Sequence, residues 1–442
     1  MRIALIAMSG IRIRDEDLVK LGLTLPGFVE RGKVIASLPS LGLLTLAGLT
    51  PPQHEVHYIE VGDVKELENL PTGFDMVAIS SFSAQIDEAY ELASRYKSIG
   101  IPSLLGGPHV TMLPEEAAQY CTSVVLGEGE IHWLQILSDL EKGCLAPVYD
   151  GRNQIFDLAD APMPAFNLLD LKKYNRLTVQ TCRGCPHRCE FCAGSILMTR
   201  YYKQKPLAKV LAEIDQILKI WKRPFLEFAD DNSMINRKYW KELASELESR
   251  KIHWFTETDV SVSNDRELLT LMRRSGCGQI LIGLESPVEN GLTGIELNAD
   301  WKFRKFPFYK EAIDTIQSHG VTVDGCFVIG LDGQTVDIFD QVFEFVHDTR
   351  LYEVQVTIQT AFPGTPLYNR LLKENRLLEP TNWRKCTLFD VNYVPTHMTV
   401  EELTTGFRNL VKRLYSEEFT KWRRASFRKM LRENKFERED QL

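Results

Sequence analysis

The segment Thr181-Cys-Arg-Gly-Cys-Pro-His-Arg-Cys-Glu-Phe-Cys192 holds four of the nine cysteines of this chain. Within it, Cys185, Cys189 and Cys192 follow the spacing C-x3-C-x2-C, which places three thiols in one short loop. Thiolates are the usual ligands of iron–sulfur clusters, and a cubane with four irons would keep one iron without a protein ligand. Catalytic metal sites likewise leave one coordination position open for a substrate. The spacing therefore predicts a cluster that binds a small molecule.

Two other interpretations of this loop stay open on the residues alone. A zinc knuckle would need a fourth ligand, which Cys182 or His187 could supply, and thiols can also cluster by chance in a reducing cell. The spacing, with Phe191 before the last cysteine, resembles the radical S-adenosylmethionine (SAM) superfamily. The resemblance implies a 4Fe-4S cluster on the three cysteines, SAM on the open iron, Phe191 beside SAM, and a structural Cys182.

Length, charge and cysteine usage bound the class of protein. With 442 residues and 44% hydrophobic residues, the chain is long enough for two or three domains. The net charge of −8 argues against a nucleic-acid partner bound through a general basic surface. The sequence contains no run of 18 apolar residues and no signal-peptide pattern, and its scattered cysteines do not form a disulfide framework. We expect a cytoplasmic protein without a transmembrane segment.

Residues 1–150 alternate short apolar runs with helical segments, which predicts a doubly wound parallel sheet. Strands are predicted at 3–7, 54–61, 76–81, 102–107 and 123–127. Such sheets bind ligands beyond the carboxyl ends of their strands. Small and polar residues collect there: Ser40, Ser80, Ser81, Ser83, Gly106, Gly107, Pro108, His109, Gly127, Glu128, Gly129 and Glu130. Any one glycine could simply turn the chain, but three adjacent strand ends of this character favour a broad, flat ligand.

The strings Leu105-Gly-Gly-Pro-His-Val-Thr111 and Val124-Val-Leu-Gly-Glu-Gly-Glu130 resemble the cobalamin-binding domain of cobalamin-dependent radical SAM enzymes. The match covers most of residues 1–150, and it implies that these small and polar residues bind cobalamin in a Rossmann-like domain. The signature Asp-x-His-x-x-Gly, which supplies a cobalt ligand in some cobalamin proteins, is missing from the sequence. No lower axial ligand is therefore assigned, and His109 can equally cap a helix or contact corrin amides.

A second alternating series follows a linker at 151–175 and predicts a partial (β/α)6 barrel over 176–362. Its six strands are expected at 177–181, 225–229, 253–258, 279–285, 323–329 and 353–359. In the resembled family, polar residues at the ends of the second, third and fourth strands contact SAM. The matching positions are Asp230, Glu257, Glu285 and Ser286. The family's Gly-Gly-Glu run is replaced by Asp-Asp-Asn here, and each acid could instead cap a helix or face solvent.

The last region, 363–442, is predicted to be helical. Phe407, Leu410, Val411 and Leu414 share one helical face, and basic residues are dense from 408 to 435. A helix packed on the barrel with a solvated basic face is the more usual interpretation. Contact with a membrane surface or an anionic substrate is the alternative.

The order of cobalamin domain, radical barrel and helical tail resembles hopanoid methylases, bacteriochlorophyll methylases and the anaerobic magnesium-protoporphyrin ester cyclase. This implies C-methylation of an unactivated carbon in a small or hydrophobic metabolite, through a 5′-deoxyadenosyl radical and methylcobalamin. An external one-electron donor such as flavodoxin or ferredoxin would reduce the cluster. Cyclisation, oxidation or rearrangement without methyl transfer is the alternative.

Two further hypotheses come from other classes. An RNA methylthiotransferase would need three more cluster cysteines in the N-terminal domain, which holds only Cys121 and Cys144. A non-catalytic cobalamin- or cluster-dependent sensor would not turn over SAM.

Overall fold

The computed structural model of this protein describes residues 1–9, 13, 16–20, 38–194 and 201–439. In this part of the chain, the strands form two six-stranded parallel sheets and one two-stranded antiparallel pair. Helices cover both large sheets, and the described chain ends in two helices. The predicted α/β class, with two successive parallel sheets and a helical C-terminal region, is confirmed.

The first sheet has the strand order β2-β1-β3-β4-β5-β6, with all neighbours parallel. Its strands are β1 (Arg2–Met8), β2 (Glu55–Val61), β3 (Met76–Ser80), β4 (Ser103–Gly106), β5 (Ser123–Leu126) and β6 (Val148–Asp150). The order reverses between β1 and β3, which is the switch point at which doubly wound sheets bind ligands. The sequence predicts the first five strands and misses β6, which is only three residues long.

Helices cover both faces of this sheet. They are α2 (Leu41–Leu49), α3 (Ile86–Ser98), α4 (Pro108–Met112), α5 (Pro114–Ala117) and α6 (Trp133–Glu141). The short helix α1 (Glu16–Lys20) instead contributes Leu18 to the apolar core of the second sheet. In α3, Ile86, Ala89, Tyr90 and Ala93 recur at helical spacing and enter one apolar cluster. Residues of α2 and α6 form the cluster on the opposite face. The carboxyl ends of the strands are therefore left for the site.

The second sheet is an open barrel with the strand order β7-β10-β11-β12-β13-β14. Its strands are β7 (Leu177–Val179), β10 (Phe225–Phe228), β11 (His253–Thr258), β12 (Cys277–Glu285), β13 (Thr322–Ile329) and β14 (Glu353–Ile358); a separate antiparallel pair consists of β8 (Cys182–Arg183) and β9 (Lys203–Gln204). Helices of this region are α7 (Leu207–Ile220), α8 (Arg237–Arg250), α9 (Arg266–Arg274), α10 (Trp301–Lys305), α11 (Tyr309–Ser318) and α12 (Ile338–Thr349). All six predicted barrel strands are present.

The interior of the barrel is polar. Leu226 and Phe228 join the apolar core between strands and helices, so Glu227 between them points inward. The same alternation directs the following residues into the interior: Glu257, Asp324, Cys326 and Gln355. Closed (β/α)8 barrels fill this space with branched apolar side chains. The interior of this open barrel is instead suited to a polar ligand.

The C-terminal region contains α13 (Pro366–Lys373), α14 (Val400–Leu414) and α15 (Glu417–Glu439), with irregular chain from 374 to 399. The predicted helical region is thus interrupted, and residues 440–442 lie outside the described residues. The apolar face of α14 packs into the barrel core. Arg423 of α15 is fully buried and donates to Glu353 and to the carbonyl of Tyr352. Arg423, one of the basic residues considered for membrane contact, therefore packs inside the protein.

None of the described helices combines the length and the apolar composition needed to cross a membrane.

Candidate functional site

The carboxyl ends of the two sheets meet at one interface. Arg183 follows β7 in the chain, and its guanidinium donates to Glu128 (2.7 Å) and Glu130 (2.5 Å), which follow β5. Lys203 of β9 donates to both oxygens of Glu128, at 2.6 Å each. The predicted cobalamin-binding edge therefore lies against the hairpin that begins the predicted cluster loop.

Asp230 anchors the start of the cluster loop. Its carboxylate accepts hydrogen bonds from the amide and hydroxyl of Thr181 (2.7 and 2.6 Å), the amide of Cys182 (3.0 Å) and the hydroxyl of Ser233 (2.9 Å). The residue is buried, and Asp231 beside it accepts from the amide of Gly184. These hydrogen bonds order the start of the cluster loop, and the contact of Asp230 with SAM stays a prediction.

Two further carboxylates hold the loop from the far side. Glu296 accepts from the amides of Arg188 (3.2 Å), Asn298 (3.0 Å) and Ala299 (2.7 Å). Glu190 receives two hydrogen bonds from the guanidinium of Arg370, at 3.1 and 2.6 Å. Sequence reasoning missed these partners, because they come from positions more than a hundred residues away.

The three predicted cluster ligands lie close together: Cys185 interacts electrostatically with Cys192, and Cys189 interacts with both of them. Burial raises the pKa of the Cys185 thiol to about 11 and that of the Cys189 thiol to about 12. Thiolates at these positions need a cation, and iron supplies one, so the donor set fits a cluster. Cys182 is buried and points its thiol at the carbonyl of Asn232, which agrees with a structural role. Among the described residues, no three His, Cys, Asp or Glu side chains converge on a single-ion site.

Glu285 and Ser286, at the end of β12, are engaged inside the protein. Glu285 forms a buried ion pair with Lys302, whose ammonium also donates to the carbonyl of Gly283 (2.8 Å). A side chain at Gly283 would collide with this pair, because its Cβ would lie 2.5 Å from a Glu285 oxygen. Ser286 is fully buried and contacts Gln334 and the amide of Val288. Both side chains thus have partners within the protein, and their contacts with SAM stay predictions.

Glu257 differs from the other predicted SAM-binding acids. Its side chain has accessible surface, yet it projects into the barrel interior, where protein surrounds it. This enclosure, reinforced by the carboxylates of Glu227 and Asp231, raises the pKa of Glu257 to about 8. Phe191, the remaining candidate, is partly buried at the edge of the apolar core.

We expect the wild-type protein to lose stability relative to Glu257→Gln as the pH rises from about 5 to about 8. In this window the unfolded chain has released the proton, at a pKa of about 4.3, while the folded chain still holds it. Stability therefore falls with rising pH until the folded group also ionises, after which the difference should stay constant. The test is the thermal unfolding midpoint of the wild type and of Glu257→Gln, measured between about pH 5 and 9. Midpoints that change with pH by the same amount in both proteins would contradict the raised pKa of Glu257.

The predicted cobalamin edge presents small residues on adjacent strands. Ser80 at the end of β3 pairs beside Gly106 at the end of β4. Gly107 has φ +106°, and a Cβ there would lie 3.2 Å from the carbonyl oxygen of Ser81. Phe82 stands next to them with 60% of its surface exposed, which adds an apolar ring to this edge. A flat, partly apolar ligand such as a corrin fits this surface.

Several of the residues predicted to bind cobalamin have other partners. His109 is buried, and its ring nitrogens contact the hydroxyl of Ser83 (3.0 Å) and the carboxylate of Glu116 (3.4 Å). Ser40 caps α2, and the hydroxyl of Ser81 donates to the carbonyl of Phe82. With Glu128 and Glu130 paired to cations, the remaining members are small and partly buried: Ser80, Gly106, Gly107, Pro108, Gly127 and Gly129. The motif lies at the carboxyl edge of the first sheet, and direct contacts of its His and Glu side chains with cobalamin stay predictions.

Comparisons with known proteins agree with both halves of the site. The Radical SAM superfamily model matches residues 179–346, and the B12 binding domain model matches residues 31–135. Uncharacterized methyltransferase sll1242 of Synechocystis sp. is 30% identical over 86% of this chain and 71% of its own length. The chain belongs to the cobalamin-dependent radical SAM enzymes. The predicted family, enzyme class and cofactors, a 4Fe-4S cluster, SAM and cobalamin, are thereby confirmed.

This radical SAM enzyme is also similar to bacteriochlorophyllide d C-12(1)-methyltransferase of Chlorobaculum tepidum, with 26% identity over 88% of this chain and 84% of that protein. Among solved structures, it resembles the radical SAM methyltransferase TsrM of Kitasatospora setae, determined with cobalamin and a 4Fe-4S cluster bound. The TM-score is 0.68 over 94% of this chain and 89% of that one, at 14% identity. At that identity, the likeness concerns the fold.

Proposed function

We propose that this enzyme is a C-methyltransferase that transfers a methyl group to an unactivated carbon of a small or hydrophobic metabolite. One observation carries the proposal: Arg183 joins the cobalamin edge directly to the cluster loop. That contact suits an enzyme in which both cofactors serve one substrate. The methyltransferase names of relatives that align along most of the chain support the same reaction.

The chain's own residues have three tasks in this proposal. Cys185, Cys189 and Cys192 would hold the cluster, in a loop that Asp230 and Glu296 order through backbone amides. The small residues after β3, β4 and β5 would let the corrin approach the backbone closely. When bound, the cofactors would supply electron transfer to SAM and a methyl group on cobalt.

The partners and compartment follow from the same chemistry. A small external electron carrier such as flavodoxin or ferredoxin would reduce the cluster. The five cysteines outside the cluster segment are scattered and form no disulfide, which suits the reducing cytoplasm. A polar barrel interior would receive the polar part of SAM or of the substrate.

A labelling experiment tests methyl transfer without knowledge of the substrate. The protein is reconstituted anaerobically with iron, sulfide and hydroxocobalamin, then reduced and incubated with SAM that carries a trideuterated methyl group. We expect retained corrinoid, 5′-deoxyadenosine, and cobalamin that has gained the label by mass spectrometry. 5′-Deoxyadenosine with retained but unlabelled corrinoid would overturn methyl transfer and favour cyclisation or rearrangement.

A further inference from the structure

Four charged side chains join the cobalamin edge to the cluster hairpin, and we call them the Arg183 bridge: Arg183, Lys203, Glu128 and Glu130. The four ion-pair contacts measure 2.5 to 2.7 Å. Arg183 is only 16% exposed and Glu130 6%. Two cations balance two carboxylates, so the bridge is neutral as a unit. Its low exposure separates it from surface ion pairs, which contribute little.

Each end of the bridge lies on a loop that carries part of the site. Arg183 stands two residues before Cys185 and pairs in the β8–β9 hairpin with Lys203. Glu128 and Glu130 flank Gly129 on the loop after β5. A shift of this contact would therefore move the cobalamin edge and the cluster loop relative to each other.

The guanidinium of Arg183 contacts three acceptors on two segments of the chain. One terminal nitrogen donates to Glu128, the other to Glu130, and Nε donates to the side-chain oxygen of Gln180 (2.8 Å) after β7. A planar fork holds three acceptors in one arrangement, whereas a lysine ammonium is a point charge on a flexible stem. Lys203 adds a donor to the carbonyl of Phe156 (2.9 Å), in the chain that connects the two sheets.

We propose that Arg183 is a positioning residue that sets the distance between bound cobalamin and the cluster. The inference rests on the proposed function, because it assumes that both cofactors occupy this interface. In this proposal, Glu128 and Glu130 hold the two sheets in a fixed relative position rather than bind the corrin. Loss of the fork, with charge retained, should loosen both loops and lengthen or broaden the distance between cofactors.

The first test needs no cofactor. Arg183→Lys is compared with Arg250→Lys, because Arg250 makes a similar two-nitrogen contact with Asp215 and is 17% exposed, but lies between α7 and α8. Amide hydrogen exchange at residues 127–131 and 182–192 should be about tenfold faster in Arg183→Lys. Arg250→Lys should leave these segments unchanged. Equal protection of the two loops in Arg183→Lys and the wild type would overturn the proposal.

The second test measures the distance between cofactors in the loaded protein. In the wild type, the reduced cluster should speed the relaxation of the cob(II)alamin electron spin, and the microwave power that half-saturates its signal reports this. Arg183→Lys should lower that power severalfold at unchanged iron and corrinoid content. If Arg183→Lys does not fold, Glu130→Gln, which keeps the Arg183–Glu128 contact, should show a smaller effect of the same sign.

The outcomes separate the two proposals. A wild type that retains no corrinoid would overturn the proposed function and, with it, the positioning role, even if the exchange experiment shows a structural bridge. A wild type that retains and labels its corrinoid, with Arg183→Lys giving the same half-saturation power, would overturn the positioning role alone.

Discussion

Replacing Cys189 by alanine should reduce the iron content from about four atoms per chain to near zero and abolish 5′-deoxyadenosine formation. Cys185→Ala and Cys192→Ala should behave alike, because a cluster that leaves one iron for SAM depends on all three remaining ligands. The measurement is iron and sulfide content after anaerobic reconstitution, followed by the assay for 5′-deoxyadenosine with reductant and SAM.

Cys182→Ala is the matched control for these three variants. Cys182 belongs to the same segment, but its buried thiol contacts the carbonyl of Asn232. Its replacement removes one small buried group and should lower the free energy of unfolding by about 1–3 kcal/mol. The iron content should stay at the wild-type level. Equal loss of iron in all four variants would show that the ligand assignment is wrong.

The fold could be predicted from the sequence because its information is local. Strands and helices alternate with distinct hydrophobic periods, and buried strands such as β1 and β3 form nearly continuous apolar runs. The three-residue strand β6 escaped because such a short segment carries no period. The interruption of the C-terminal helices at 374–399 escaped for the opposite reason, since tertiary contacts hold that chain, as in the bond from Trp383 to Glu116.

The site was predictable only where one segment carried it. The cysteine spacing and the glycine-rich strand ends are local signals, and both lie at carboxyl edges of the sheets. The partners of the polar residues are distant in sequence. His109 meets Ser83 and Glu116, and Glu128 meets Arg183 and Lys203, so residues predicted to touch cofactors also connect elements of the fold. The repeated acids of Gly127-Glu-Gly-Glu130 and the basic residues of the cluster hairpin were a complementary charge pattern that could have indicated this contact.

Removal of the Lys302 ammonium should have the largest effect on stability. In Lys302→Met, Glu285 would lose its cation inside the protein, and breaking one side of a buried ion pair costs about 3–5 kcal/mol. Burial alone would lower the pKa of Lys302, but the Glu285 carboxylate raises it above its usual value, so the wild-type pair is charged. Thermal unfolding followed by circular dichroism should show a markedly lower midpoint for Lys302→Met.

The double variant Glu285→Gln with Lys302→Met distinguishes the cost of an unpaired buried charge from the cost of lost packing by the lysine side chain. A neutral amide removes the uncompensated charge, so the double variant should recover about half or more of the lost stability. The pair closes the space over Gly283 at the end of β12, beside the cluster loop. If the double variant is no more stable than Lys302→Met, packing of the lysine stem rather than its charge holds this strand end.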